Sequence, residues 1–155
     1  MSEEADLIKN RKRMKQIHSF NGMQRMRNIT PTDIDGLIDY GGCAFVYLEG
    51  KLQNAKFMDG QKKALEAVVR SHWRAGHKSM AIVYEHNSPA NEEILVCAQF
   101  VKAIFCLEQI RELMRVPHEN SKPKFSLNET WFYPQRETTN VLEAIDMFEK
   151  HFNIR

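Results

Sequence analysis

The apolar positions of this chain change period several times, and each change marks an element. Over 32–51 the pattern alternates. One run, 32–40, and a β-prone run, 43–48, flank Gly41-Gly42. This predicts strands at about 34–40 and 43–50, with the glycine pair supplying the positive φ of a tight hairpin turn. From Asp59 the period lengthens to that of a helix. Leu65, Val68, Val69 and His72 form its stripe, Asp59 is the expected N-cap, and Gly76 stops it. Residues 80–84 are an unbroken apolar run, short enough for a buried strand. Strand, helix, strand is a crossover unit, so this strand is expected to lie parallel to the second.

The flanking segments are plainer. Residues 4–18 read as a helix with Leu7, Ile8, Met14 and Ile17 on one face, and 20–29 as a polar connector. After a turn at 87–91 that contains Pro89, a strand is expected over 94–101, with a possible bulge near Gln99. Leu107, Ile110, Leu113 and Met114 have helical spacing, and the apolar run that joins this segment to the strand fits either period. Residues 116–130 are rich in Pro, Asn, Ser and Lys and read as an exposed loop. A last helix begins near Asn140, with Glu143 as capping-box partner, and is expected to bury Val141, Leu142, Ile145 and Phe148. The order predicts an α/β fold, a small mixed β-sheet flanked by helices, as one domain over 1–155.

Composition agrees with an ordinary globular domain, 43% hydrophobic and 27% charged. Cys43, Cys97 and Cys106 form no CxxC pair, sit in apolar runs and are expected as reduced, buried thiols. No apolar stretch reaches membrane-spanning length and no signal-peptide core appears, so a cytoplasmic (intracellular) protein without a membrane partner is expected. A net charge of +2 excludes a polybasic binder, but the charge is segregated. Residues 1–30 hold seven basic and three acidic groups; residues 31–60 hold two basic and five acidic. An acidic pocket beside a basic segment suits cations at the centre and phosphates around it; a solvated helix face over 9–15 is the plain alternative.

The acids carry the chemistry. Strand alternation puts Glu49 and Lys51 on one face, and Asp35 opposite them if the two strands pair. Two carboxylates and a lysine are the minimum set for metal-dependent hydrolysis of a phosphodiester. The carboxylates supply hard oxygen ligands for Mg²⁺ (or Mn²⁺), and the lysine orients the attacking water or meets developing charge. An ordinary hairpin with solvated charges is the structural alternative. No Gly-rich phosphate loop, serine elbow or Cys-His pair competes with this reading, and His72 and His77 lack the further ligands of a zinc site.

Asp35…Glu49-Gly50-Lys51, preceded by Pro31-Thr32-Asp33, resembles the PD-(D/E)xK nuclease superfamily of restriction enzymes, phage exonucleases and Holliday-junction resolvases. The resemblance covers about 30–100. It implies a restriction-endonuclease-like fold and a Mg²⁺-dependent DNA nuclease, with endonuclease action expected. Asp35 and Glu49 would hold the metal, with the Leu48 or Gly50 carbonyl as an extra ligand. Lys51 would activate water, and Gln61, in the first turn of the next helix, would assist at the rim. Asp33 competes with Asp35 for the first ligand position; Asp35, inside the apolar-flanked strand, is preferred and Asp33 is kept as accessory. Family members often add an acid from the first helix, for which only Glu3, Glu4 and Asp6 are available.

Arg11, Arg13, Arg25 and Arg27 are the expected phosphate contacts. His86, at the end of the parallel strand, is a further accessory candidate, with a strand-end cap as the plainer role. Trp131, Phe132 and Tyr133, near Lys122, Lys124 and Arg136, either stack on unpaired bases or dock against the body or a second copy. Cutting both strands would call for a homodimer. Two other functions compete: a non-catalytic nucleic-acid- or partner-binding protein on the same fold, and a small metal-dependent hydrolase of nucleotides.

Overall fold

The computed structural model describes residues 34–108, 110, 131–132, 134 and 138–154. The expectations for 4–18, 20–29 and 111–130, and for Asp33, Tyr133, Arg136 and the four arginines Arg11, Arg13, Arg25 and Arg27, lie outside these residues.

Among the described residues the chain is a mixed α/β unit. β1 (Gly36–Asp39), β2 (Ala44–Leu52), α1 (Asp59–Arg74), β3 (Lys78–His86), β4 (Phe100–Phe105), β5 (Trp131–Phe132) and α2 (Val141–Phe152) follow in order. The strands lie in one sheet in their sequence order. β1 pairs antiparallel with β2, β3 parallel with β2, and β4 antiparallel with β3. The parallel pair is the one spanned by α1, as the crossover predicts. Gly41 and Gly42 close the β1–β2 hairpin at φ 65° and 78°, values that disfavour a side chain.

Alternation along β2 and β3 sends neighbouring side chains into two separate cores. Tyr47, Ala81, Val83, Phe105 and Trp131 meet Leu65 and Val69 of α1. Ala44, Val46, Met80, Ile82, Tyr84 and Ile104 meet Ala144 and Phe148 of α2. The two helices therefore cover opposite faces. Burying each large aliphatic side chain contributes roughly 1.5–3 kcal/mol, which explains why β3, with six consecutive buried residues, forms the middle of the sheet.

Several expectations need correction. Asp59 is the first helical residue rather than the cap; Met58 occupies the N-cap without a side-chain bond, and Asp59 places an acid in the first turn, where the helix dipole favours it. The other end agrees: Gly76 at φ 86° follows a cap in which the Gly76 amide donates to Trp73 and the His77 amide to His72. The strand expected over 94–101 begins at Phe100 instead. A single 3₁₀ turn, Val96–Ala98, precedes it, and pairing with β3 carries it through Phe105, into the run whose period was ambiguous. The register shift falls opposite Val83 and Tyr84, where Lys102 is the extra residue, rather than at Gln99.

Trp131 and Phe132 form an edge strand. Trp131 is buried, and its indole donates to Glu66 of α1 at 2.6 Å. α2 starts with the expected box, Asn140 accepting from the Glu143 amide at 2.9 Å and Glu143 from the Asn140 amide at 3.2 Å. It buries Val141, Ala144 and Phe148, whereas Leu142 is half exposed. Cys106 is buried, but Cys43 and Cys97 are exposed, because one sits in the hairpin turn and the other in the 3₁₀ turn. No helix of the described residues is long and apolar enough to cross a membrane.

Candidate active site at the end of the second strand

β2 is longer than β1. The register runs from Asp39 opposite Phe45 to Gly36 opposite Leu48, so β2 continues past the end of its neighbour. Glu49, Gly50, Lys51 and Leu52 are the residues left beyond the ladder on that side, while β3 supports them with Val83, Tyr84, Glu85 and His86 on the other. Asp35 stands one residue before β1. Its carboxylate accepts from the Gly50 amide at 2.6 Å, replacing the strand partner that Gly50 lacks. The sequence placed Asp35 opposite the Glu-x-Lys only if the strands paired; they do, and the link is this side-chain bond.

On the α1 face Glu49 is 3% exposed. Its Oε1 accepts from Lys51 Nζ at 2.5 Å and from Gln61 Nε2 at 2.9 Å, and Gln61 Oε1 accepts from the same lysine at 2.7 Å. Three residue types thus close a ring in which each side chain bonds the other two. Glu49 and Lys51 meet because residues two apart share a strand face. Gln61 joins them because the connection from Leu52 to Asp59 is short and the first turn of α1 lies over the end of β2. Phe57, also on that connection, lies with its ring 5.8 Å from Lys51 Nζ. A buried carboxylate is costly unless its lone pairs are satisfied, and the lysine and amide meet that requirement.

Two further features border the ring. Glu85, opposite Lys51 on β3, pairs with Lys102 of β4, so a second acid–lysine pair continues the polar row across the sheet. On the other face, Tyr84 lies directly opposite Gly50. A Cβ built on Gly50 would come 2.7 Å from the Tyr84 hydroxyl oxygen and 2.8 Å from Cζ, so the phenol occupies the lane that glycine leaves open. Burial first, then the charges of Asp35 and Glu49, raise the Tyr84 pKa and keep it a hydrogen-bond donor.

The structure therefore brings together Asp35, Glu49, Lys51, Gln61 and Gly50. Leu48 sits inside the ladder, opposite Gly36. His86 ends β3 on the same face as Tyr84, with Leu52 opposite; its Nδ1 is buried without a hydrogen-bond partner among the described residues. His72 belongs elsewhere, near the start of β2. Its Nε2 lies 2.7 Å from the Tyr47 hydroxyl and its ring stacks on Phe45 at 3.9 Å. Among the described residues no group of three or more His, Cys, Asp or Glu is disposed to hold a metal ion. Sequence reasoning missed Tyr84 and the Glu85–Lys102 pair. The one available signal for Tyr84 was a glycine inside a strand, which marks close approach by another group.

No family model, curated protein or solved structure matches this chain.

Proposed function

We propose that this chain is a metal-dependent DNA nuclease of the PD-(D/E)xK type, with a restriction-endonuclease-like arrangement around β1, β2, α1 and β3. The observation that carries the reading is the closed Glu49–Lys51–Gln61 ring beside Asp35, all at the free end of one strand. An ordinary solvated hairpin does not explain why a glutamate is buried there with a lysine and a helix-borne amide converging on one of its oxygens.

The donor chemistry fits Mg²⁺ or Mn²⁺. Asp35 and Glu49 offer hard carboxylate oxygens, and Gly50 lies beyond the ladder, where its carbonyl is better placed to join them than that of Leu48. Two carboxylates suffice, because Mg²⁺ keeps several waters and takes the remaining contacts from substrate phosphate. When bound, such an ion lowers the pKa of water and offsets charge on the phosphate.

The chain's own residues perform the rest. Asp35 is held in place by the Gly50 amide, so its carboxylate is oriented before any ligand arrives. Lys51 carries a positive charge beside Glu49, where it orients the attacking water and stabilises the phosphate as charge builds. Gln61 fixes the separation of Lys51 and Glu49 by bonding both. Lys51 and Gln61 share Glu49 Oε1, so a cation held by Glu49 would compete with Lys51 for that oxygen.

The test is cleavage of labelled DNA, as single strand, linear duplex, supercoiled circle and four-way junction, with Mg²⁺, Mn²⁺ or EDTA. Native protein is compared with Glu49→Gln and Glu49→Ala. Metal-dependent cutting that both variants lose supports the reading. Absence of cutting on every substrate, with DNA binding retained, sinks it in favour of a binding protein.

A further inference from the structure

The ring described above lies on one face of β2, but the strand end is built from both faces. Tyr84 comes from the opposite side. Its ring is part of the core under α2 and only 4% of the residue is exposed, yet its hydroxyl lies over Gly50. That position is the centre of the site. Glu49 and Lys51 flank Gly50 in sequence, and the Gly50 amide holds Asp35 at 2.6 Å. Any residue but glycine at 50 would put a Cβ within 2.7 Å of the hydroxyl, so the approach requires this glycine.

The chemistry of the site leaves a role for a donor there. Asp35 and Glu49 are acceptors, and a phosphodiester is anionic with acceptor oxygens. Lys51 and Gln61 are donors, but both lie on the α1 face and both already bond Glu49. Among the described residues the Tyr84 hydroxyl makes no hydrogen bond. A neutral donor laid across the face that Gly50 leaves without a side chain, beside the amide that holds Asp35, suits a phosphate oxygen that would otherwise face only acceptors on that side.

We propose that Tyr84 is a substrate-contacting residue, its hydroxyl donating to a phosphate oxygen of the nucleic acid from the face opposite Lys51. The inference rests on the nuclease reading and extends it. The phosphate is gripped from both sides of β2, and the missing side chain of Gly50 leaves the room in which the second grip lies.

The experiment measures kcat/KM for DNA cleavage and DNA affinity in Ca²⁺, with Tm as control, for native protein, Tyr84→Phe, Gly50→Ala and Glu49→Gln. Tyr84→Phe keeps the ring and removes only the hydroxyl. A hydrogen bond to a charged partner predicts a loss of roughly 10- to 150-fold in kcat/KM or affinity, with Tm unchanged within about 2 °C. Gly50→Ala should lose at least as much, because the ring must move. Native kcat/KM and affinity in Tyr84→Phe overturn the proposal, as does a large drop in Tm accompanying the loss, which would make the hydroxyl structural. If Glu49→Gln is inactive while Tyr84→Phe is fully active, the nuclease reading stands and this inference alone fails. If native protein cuts nothing, both fail.

Discussion

Lys51→Met tests the energetics of the ring directly. Glu49 and Lys51 are 3% and 13% exposed at the side chain, so they form a buried pair rather than a surface one. Removing one member of a buried pair typically costs about 3–5 kcal/mol, because the other charge stays without compensation. Here Gln61 still donates to Glu49 Oε1 at 2.9 Å, so part of that cost is avoided. A loss of about 2–4 kcal/mol is expected for Lys51→Met. Adding Glu49→Gln should restore stability to within about 1 kcal/mol of native, since the buried charge is gone and the amide oxygen can still accept from Gln61. Urea denaturation at constant m-value measures both differences.

A second arm of the same experiment links stability to the proposed chemistry. In the proposed site Lys51 and a cation would compete for Glu49, so Mg²⁺ should stabilise Lys51→Met more than native protein. At 100 times Kd the stabilisation reaches about 2.7 kcal/mol. Glu49→Gln should respond little. The reasoning is refuted if Lys51→Met is as stable as native to within about 0.5 kcal/mol, the scatter of ordinary surface substitutions. It is equally refuted if Mg²⁺ stabilises Glu49→Gln as much as native.

Three further outcomes follow from the packing. Phe148→Ala empties a fully buried position under the sheet and should cost about 3–5 kcal/mol in urea melts. Asn140→Ala removes the cap of α2 and should cost about 1 kcal/mol, with a matching fall in Tm. The pKa of His72 is lowered by burial and by nearby His77, against an opposing pull from Asp39. The folded state therefore binds this proton less readily than the unfolded chain. The stability from neutral His72 is full above its unfolded pKa, about 6.5, and is lost as pH falls below that toward the lowered value. Between pH 7 and 5 the Tm of native protein should fall more than that of His72→Gln; parallel curves would show that His72 contributes nothing to the acid limb.

The local signals in the chain were strong wherever one residue type decides the backbone. Gly41-Gly42 announced the hairpin, Gly76 the end of α1, and Asn140 with Glu143 the start of α2, because positive φ and capping are properties of a few adjacent residues. Alternation was equally local, so Glu49 and Lys51 could be placed on one face, and the buried run at 80–84 could be assigned to a strand parallel to β2. What the period could not settle was the stretch from Ile94 to Leu107. Its apolar residues suit helix or strand, and pairing with β3 decided in favour of a strand that starts at Phe100. Exposure of Cys43 and Cys97 was likewise invisible, since both sit in apolar runs whose turns face outward.

The candidate site divides along the same line. Glu49 and Lys51 are written in sequence because they stand two apart along one strand. Its assembly belongs to tertiary structure: Asp35 on the Gly50 amide depends on hairpin register, Gln61 on Glu49 depends on how α1 folds back, and Tyr84 over Gly50 depends on the parallel pairing of β2 with β3. A one-residue change in that pairing would send each side chain to the other face. Composition and spacing therefore determine which groups are available, and the long-range register determines which of them meet.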